Sequence, residues 1–244
     1  NITNNTNEIV EIHPDIANLS TGSSEGFGSR FEVGGSIGDF YTSMYKRDAQ
    51  GRIEMDSGVP LKTADPVLAG NAEPDVSLGW ANNFNIGENL SVGFIINAKF
   101  GGKVFSQTES MLDGNGVSLR SGQARDAGGL TVNAVQGGAA VTSADPALWF
   151  KAIGDRNGIG EPYIYDRTNI RLSQMSVAYN LDPSSIGLPV DSATISLIGN
   201  NLIYSAEAPF DPELAMATGR NSQGLDNFNL PSTRTIGMNL RLTF

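Results

Sequence analysis

The chain has 244 residues, of which 17% are charged, 39% are hydrophobic and 29 are glycine, and its formal net charge is −10. The lack of cysteine excludes a disulfide scaffold, and a single histidine, His13, argues against a zinc site or a histidine-based triad. The acidic balance disfavours nucleic acid as a partner, and the charge content falls short of the roughly 25% that clothes a typical water-soluble domain.

In chain order, the first residues (Asn1-Ile2-Thr3-Asn4) lack the basic start and apolar stretch of a signal peptide, and no methionine precedes them. No apolar run approaches the roughly 20 residues that a membrane helix needs. Residues 7–12 read as the end of a strand running inward, and 38–46 as a strand running outward, followed by a loop over 46–75. Residues 13–32 are too long for the short turn that this order demands.

Alternation with period 2 then becomes the dominant signal. Val76, Leu78, Trp80, Asn82, Phe84 and Ile86 share one mostly apolar face, against Ser77, Gly79, Ala81, Asn83 and Asn85 on the other. Gly87-Glu88-Asn89 is a tight turn into Leu90, Val92, Phe94, Ile96, Ala98 and Phe100, backed by Ser91, Gly93, Ile95, Asn97 and Lys99. A glycine-rich connection fills 105–168. Alternation returns at Met175, Val177, Tyr179 and Leu181, where Ile170 and Leu172 are out of phase. Either a bulge lies near Ser173-Gln174 or the first part of this strand rises above a membrane. A turn over 182–191 leads to Ala193, Ile195 and Leu197, a long loop covers 205–233, and the chain ends on Ile236, Met238, Leu240, Leu242 and Phe244.

These runs are about twice the usual globular strand length of ~5–6 residues. Eleven residues tilted by about 45° rise about 25 Å, the height of the apolar band on an outer-membrane barrel. The opposite face carries glycine, serine and asparagine rather than the lysine and glutamate of a soluble sandwich. Short and long connections alternate, as periplasmic turns and outer loops do. The fold class is therefore all-β, an antiparallel transmembrane β-barrel segment of about seven strands. So few strands do not close a barrel, and unpaired edges in lipid are costly, so the remaining strands come from elsewhere, most simply from an N-terminal remainder of the same protein.

The residues also resemble one family. Gly70-Asn71-Ala72-Glu73-Pro74-Asp75-Val76-Ser77-Leu78-Gly79 is similar to the "GNPNPDFxxG" that opens a late strand of SusC/RagA-type TonB-dependent transporters. Gly35-Ser36-Ile37-Gly38-Asp39-Phe40-Tyr41 resembles "GxPIGxFYGY", and Phe100-Gly101-Gly102-Lys103-Val104 resembles "FGGKVY". Tyr165-Asp166 with Asn169-Ile170-Arg171-Leu172, Gly199-Asn200-Asn201-Leu202 with Phe210-Asp211-Pro212-Glu213, and the closing Arg234-Thr235 to Leu242-Thr243-Phe244 follow in the family's order. Ala178 departs from it, standing where the family has glycine. The resemblance implies that 1–244 is the C-terminal part of a barrel of about 22 strands, whose plug domain and earlier strands are not in this sequence. It implies a SusD-like surface lipoprotein, energy from TonB through the N-terminal region, and import of oligosaccharides or peptides across the outer membrane. It implies no enzymatic activity and no cofactor.

Candidate residues follow from both readings. Trp149, Phe150, Tyr163 and Tyr165 lie in or near the longest loop and either stack on sugar rings or peptide side chains, or pack the loop or form the aromatic girdle. Lys99, Arg171 and Arg241 point to the lumen or a polar rim, since a cation facing mid-bilayer lipid costs about 2–4 kcal/mol. Met238, Leu240, Leu242 and Phe244 resemble the C-terminal signal read by the barrel-assembly machinery. Asp113-Gly114-Asn115-Gly116 and Asp155-Arg156-Asn157-Gly158 lack full calcium-loop spacing and read as turns, with no metal site expected. Asp211 and Glu213 read as structural, and His13 as a surface loop residue. The rival reading is a secreted or surface β-sandwich that binds glycans through the same aromatics.

Overall fold

The computed structural model describes residues 1–183, 187, 189–213 and 223–244. Its largest element is a six-stranded antiparallel sheet. The strands lie in the order Ile2–Asn4, Val76–Ile86, Leu90–Phe100, Asn169–Leu181, Ser192–Ala206 and Thr235–Thr243. Register follows the alternation. Trp80 stands opposite Ile96, Phe84 opposite Val92, Val177 opposite both Val92 and Leu197, and Leu197 opposite Met238. A slip of one residue would turn every apolar side chain on that strand to the polar face, so the pattern specifies the pairing. Trp80 and Phe94 reinforce it edge to face, with ring centroids 4.9 Å apart.

The phase break of Ile170 and Leu172 is a bulge. Leu172 pairs with Ile96 and Gln174 with Ile95, so Ser173 is the extra residue on its strand. The Ser192–Ala206 strand inserts a residue of its own between Ile203 and Asn200, where Asn201 takes a positive φ of 51°. The bulge returns Ile170 and Leu172 to the face of Met175, Val177 and Tyr179.

Among the described residues, no layer packs on that shared face. Leu197 is 55% exposed and Leu240 is 58% exposed, and Phe94 and Ile96 are half-buried by their neighbours in the sheet. A β-sandwich would seal these residues against a second sheet. The chain's buried core lies elsewhere, in the long connections.

Strand direction sends the connections 5–75, 101–168 and 207–234 out from the same end of the sheet. The first contributes Asn18–Ser24, Phe27–Glu32, Asp39–Thr42 and Val67–Asn71, which form a four-stranded sheet. A second four-stranded sheet joins Ile53–Asp56 and Val59–Pro60 to the hairpin Leu130–Gln136 and Ala139–Ala144, with Ile53–Asp56 parallel to Leu130–Gln136. A three-stranded sheet links Ile164–Asp166, Lys103–Ser106 and Leu225–Asp226. Three short helices complete this loop body: α1 (Gln107–Gly114), α2 (Leu119–Asp126) and α3 (Pro146–Ile153). Each starts where a Ser or Asp side chain accepts from a first-turn N–H: Ser106 from Glu109, Ser118 from Ser121, and Asp145 from Ala147 and Leu148. Phe27, Phe40, Phe105, Trp149, Phe150, Ile153, Tyr163 and Leu225 form one hydrophobic cluster drawn from all three connections. Among the described residues, no helix is long and apolar enough to cross a membrane, which says nothing of strands.

Several expectations are corrected here. The long sheet has six strands, not the roughly seven expected of a single wall. The predicted strand at 38–46 shrinks to Asp39–Thr42 and pairs inside the loop body, and 7–12 is not a strand. Ile2–Asn4 is the strand that pairs ahead of Val76–Ile86. Residues 13–32 therefore never had to be a short turn, because all of 5–75 leaves from the long-connection end. The glycine-rich 105–168 stretch is folded, with helices that the glycine count concealed. Of the predicted turn at 182–191 and loop at 205–233, residues 184–186, 188 and 214–222 lie outside the described residues.

Candidate functional site

The sheet's second face is mostly polar, interrupted by Ile95 and Ile198. Asn83, Gly93, Ser176 and Ile198 lie across its strands in register, as do Asn85, Ser91, Ala178 and Ser196. Ser91 donates to Asn85 at 2.8 Å, Thr194 to Asn180 at 2.8 Å, and Asn97 to Ser173 at 2.7 Å. A Cβ on Gly93 would meet Asn83 Oδ1 at 2.6 Å and Ser176 Oγ at 3.0 Å, so glycine there lets flanking polar groups fold across the strand. The six strands carry no carboxylate, and their cations are Lys99, Arg171 and Arg241.

Lys99 and Arg171 stand at the end of this face nearest the loop body, where Phe210-Asp211-Pro212-Glu213 meets them. Arg171 Nη2 donates to both Asp211 oxygens at 2.8 Å, and its guanidinium lies over the Tyr204 ring at 4.8 Å. Glu213 accepts from Lys99 and from Asn169 Nδ2, the latter at 3.1 Å, and Arg167 stands 3.8 Å away. The Glu213 N–H closes the turn on Asp211 Oδ1 at 3.1 Å. Burial pushes the Asp211 carboxyl up, but the Ser232 hydroxyl, the Glu213 N–H and the Arg171 guanidinium outweigh it and hold it below its ordinary value. Asp211 and Glu213 are thus structural anchors that pin a loop to the sheet rim. Beside them opens a cleft of about 460 Å³, lined by Asn97, Lys99, Arg171, Ser173, Asn201 and Glu213 among others. This cleft offers amide, hydroxyl and paired charged groups, suited to hydrogen-bonding a polar solute rather than to covalent chemistry.

The four candidate aromatics divide differently. Trp149 and Phe150 are buried on α3, with Trp149 against Tyr45 at 5.7 Å. Tyr163 is wholly buried, and its hydroxyl donates to Asp113 at 2.9 Å. A ring enclosed on both faces has none to offer a solute, so these three belong to the loop-packing alternative. Tyr165 is partly exposed, donates to Glu109 and meets Phe210 edge to face at 5.4 Å. Burial, chiefly, raises the phenol pKa of both tyrosines, with their carboxylate partners adding to it.

Asp113 is fully buried beneath Arg120, which grips its carboxylate, while Arg120 also lies 5.1 Å from the Tyr163 ring centre. Asp155 and Gly158 close a turn through a 2.8 Å backbone bond. Among the described residues, no group of three His, Asp or Glu side chains is placed to hold a metal. Met238, Leu240, Leu242 and Phe244 occupy the exposed apolar side of the edge strand and its end. The rim anchors were legible as a motif, but the partner of each carboxylate was not, since Arg171 and Asp211 lie 40 residues apart.

No family model matches the chain. Over its full length it is 26% identical to TonB-dependent receptor P3 of Formosa agariphila, and over 75% of its length 26% identical to TonB-dependent receptor P26 of the same organism. It spans 26% and 18% of those relatives' lengths. Among solved structures, the RagAB peptide importer in its closed-closed state matches over 97% of the chain with a TM-score of 0.62 and 15% identity, covering 26% of that chain. The open-open state matches over the same 97%, and 25% of its own chain, with a TM-score of 0.63 and 13% identity. The structures speak for the fold and the curated relatives for the sequence: the chain is similar in sequence to TonB-dependent receptors and shares the fold of part of the RagAB importer.

Proposed function

We propose that this chain forms the C-terminal wall and part of the outer loop body of a TonB-dependent barrel, a transporter and not an enzyme, that imports a polar oligomer across the outer membrane. The observation that carries this reading is the two-faced sheet. One side is apolar and uncovered, the other is amide- and hydroxyl-lined, and folded loops cap one end only. Lipid would bathe the first face and solute or an inserted domain the second. The edges Ile2–Asn4 and Thr235–Thr243 would pair with further strands of the same barrel, completing about 22 in all. The loop end faces the cell exterior and the turn end the periplasm. A SusD-like lipoprotein covers the loops, and TonB supplies energy through a plug outside this sequence. Met238, Leu240, Leu242 and Phe244 serve as the assembly signal. Lys99 and Arg171 set the polar rim, and Tyr165 is the one candidate aromatic left with an exposed part.

Membrane fractionation tests this reading. The complete receptor should sediment with outer membranes, require detergent for extraction and migrate faster on a gel before boiling than after. Release into plain buffer as a folded monomer would overturn it and favour the sandwich.

A further inference from the structure

A groove of about 820 Å³ lies in the loop body, separate from the rim cleft and within the size range of ligand sites. Its floor is one face of the Asn18–Ser24, Phe27–Glu32 and Asp39–Thr42 sheet. Ser20 pairs with Arg30, Ser23 with Gly28, and Gly28 with Tyr41, so small residues hollow the centre of that face. A Cβ on Gly28 would find its nearest neighbour, the Tyr41 carbonyl, at 3.9 Å, so open groove lies above it.

The chemistry of the walls is cationic in a protein whose net charge is −10. Lys62, Arg30 and Arg156 line the groove, with Glu25 as the carboxylate. Arg30 is committed: it lies 3.8 Å over the Tyr41 ring and pairs with Glu32. The other two cations are held loosely. Lys62 donates to the main-chain carbonyl of Asn157, the neighbour of Arg156. Arg156 is 80% exposed and meets Glu25 at 2.6 Å, an exposed pair of the kind that contributes little to stability. Two cations therefore converge on one short segment, Lys62 on a neutral carbonyl and Arg156, itself largely exposed, on the Glu25 carboxylate. An incoming anion would strengthen the Lys62 contact, because charge-assisted bonds outweigh those to a carbonyl, and would share the exposed Arg156 with Glu25.

The lining also narrows the solute. Its two rings offer no stacking face, since Phe27 is buried and Tyr41 is capped by Arg30. Serine is the most frequent residue of the lining, and its hydroxyls match those of a sugar chain. The geometry points to a binding site for an anionic oligosaccharide, its carboxylate or sulfate group taken by Lys62 and Arg156 and its sugar ring laid over Gly28. This rests on the import reading for its biological sense, but its test does not.

Titration calorimetry on the detergent-purified complete receptor would use an oligogalacturonate, a sulfated galacto-oligosaccharide, a neutral malto-oligosaccharide of equal length, and a hexaglutamate peptide. The expected result is binding of the uronate or the sulfated sugar, or of both, weakened by salt, with the neutral sugar and the peptide at least tenfold weaker. The uronate and sulfate arms tell which anion is preferred. Lys62→Ala and Arg156→Ala should each lower affinity by about tenfold, the worth of one charged hydrogen bond. Gly28→Leu should block the site, and the two surface variants keep the test valid if Gly28→Leu fails to fold. Neutral sugar or peptide binding as tightly as the anionic sugars would overturn the proposal, as would no anionic binding or unchanged affinity in Lys62→Ala and Arg156→Ala. A receptor that resides in the outer membrane but fails this assay loses only the anion site, whereas one that never reaches the membrane loses the import reading.

Discussion

Arg171 and Asp211 form an ion pair in which Nη2 reaches both carboxylate oxygens at 2.8 Å, with side chains 14% and 6% exposed. The pair ties the 207–213 segment to the bulged strand of the long sheet. It is nearly buried, so removing one partner strands the other's charge. Asp211→Ala is expected to loosen this loop by about 3 kcal/mol, and Arg171→Met with Asp211→Leu to recover part of that loss. Hydrogen exchange at 207–213 measures both, and equal protection in wild type and Asp211→Ala would refute the anchoring role.

The same pair sets an acid limit. The Asp211 carboxyl is lowered in the folded protein, so the unfolded or undocked state binds the proton more readily. Its stabilisation is fully present above the free-carboxyl value of about 3.9 and is lost as pH falls through the lower, docked value. Exchange protection of the loop should hold steady from pH 7 to about 5 and decline below about 3.9. A decline centred near neutrality would point to another group.

The loop body depends on Trp149 and Tyr163. Trp149→Ala leaves a cavity at the centre of the shared cluster and should cost about 3–5 kcal/mol. Tyr163→Phe keeps the ring but leaves the buried Asp113 short of one donor, a loss of about 1–3 kcal/mol. Limited proteolysis should cut 101–168 sooner in both variants, while the barrel still shifts its gel mobility on boiling. Unchanged proteolysis of Trp149→Ala would remove this residue from the core.

The two faces of the sheet should respond oppositely to charge. Leu240→Arg and Leu197→Arg place a cation on the uncovered apolar face and should cost about 2–4 kcal/mol in a bilayer. Ser196→Arg, one residue from Leu197 on the polar face, should be tolerated. The yield of heat-modifiable receptor in outer membranes reads the difference, and equal yields would remove lipid from the apolar face.

The period-2 runs determined a great deal by themselves. Trp80, Phe94, Val177, Leu197 and Leu240 were assigned to one face from spacing, and the register obeys it because a slip would reverse every side chain. The motifs pointed to a resemblance before any contact was known. Where alternation was short, sequence misled. Phe40 and Tyr41 look like barrel strand, yet Asp39–Thr42 is four residues long and pairs within the loop body.

Only the tertiary structure decided what the loops do. Trp149, Phe150 and Tyr163 have the same local chemistry whether they stack on a solute or pack against Phe27 and Phe105. Burial depends on segments that lie dozens of residues away. Lys62 and Arg156 likewise read as unrelated surface cations, since no local rule joins residues so far apart. Strand faces are written in spacing because backbone geometry repeats every two residues. A loop core and its grooves arise from long-range packing, which has no period to read.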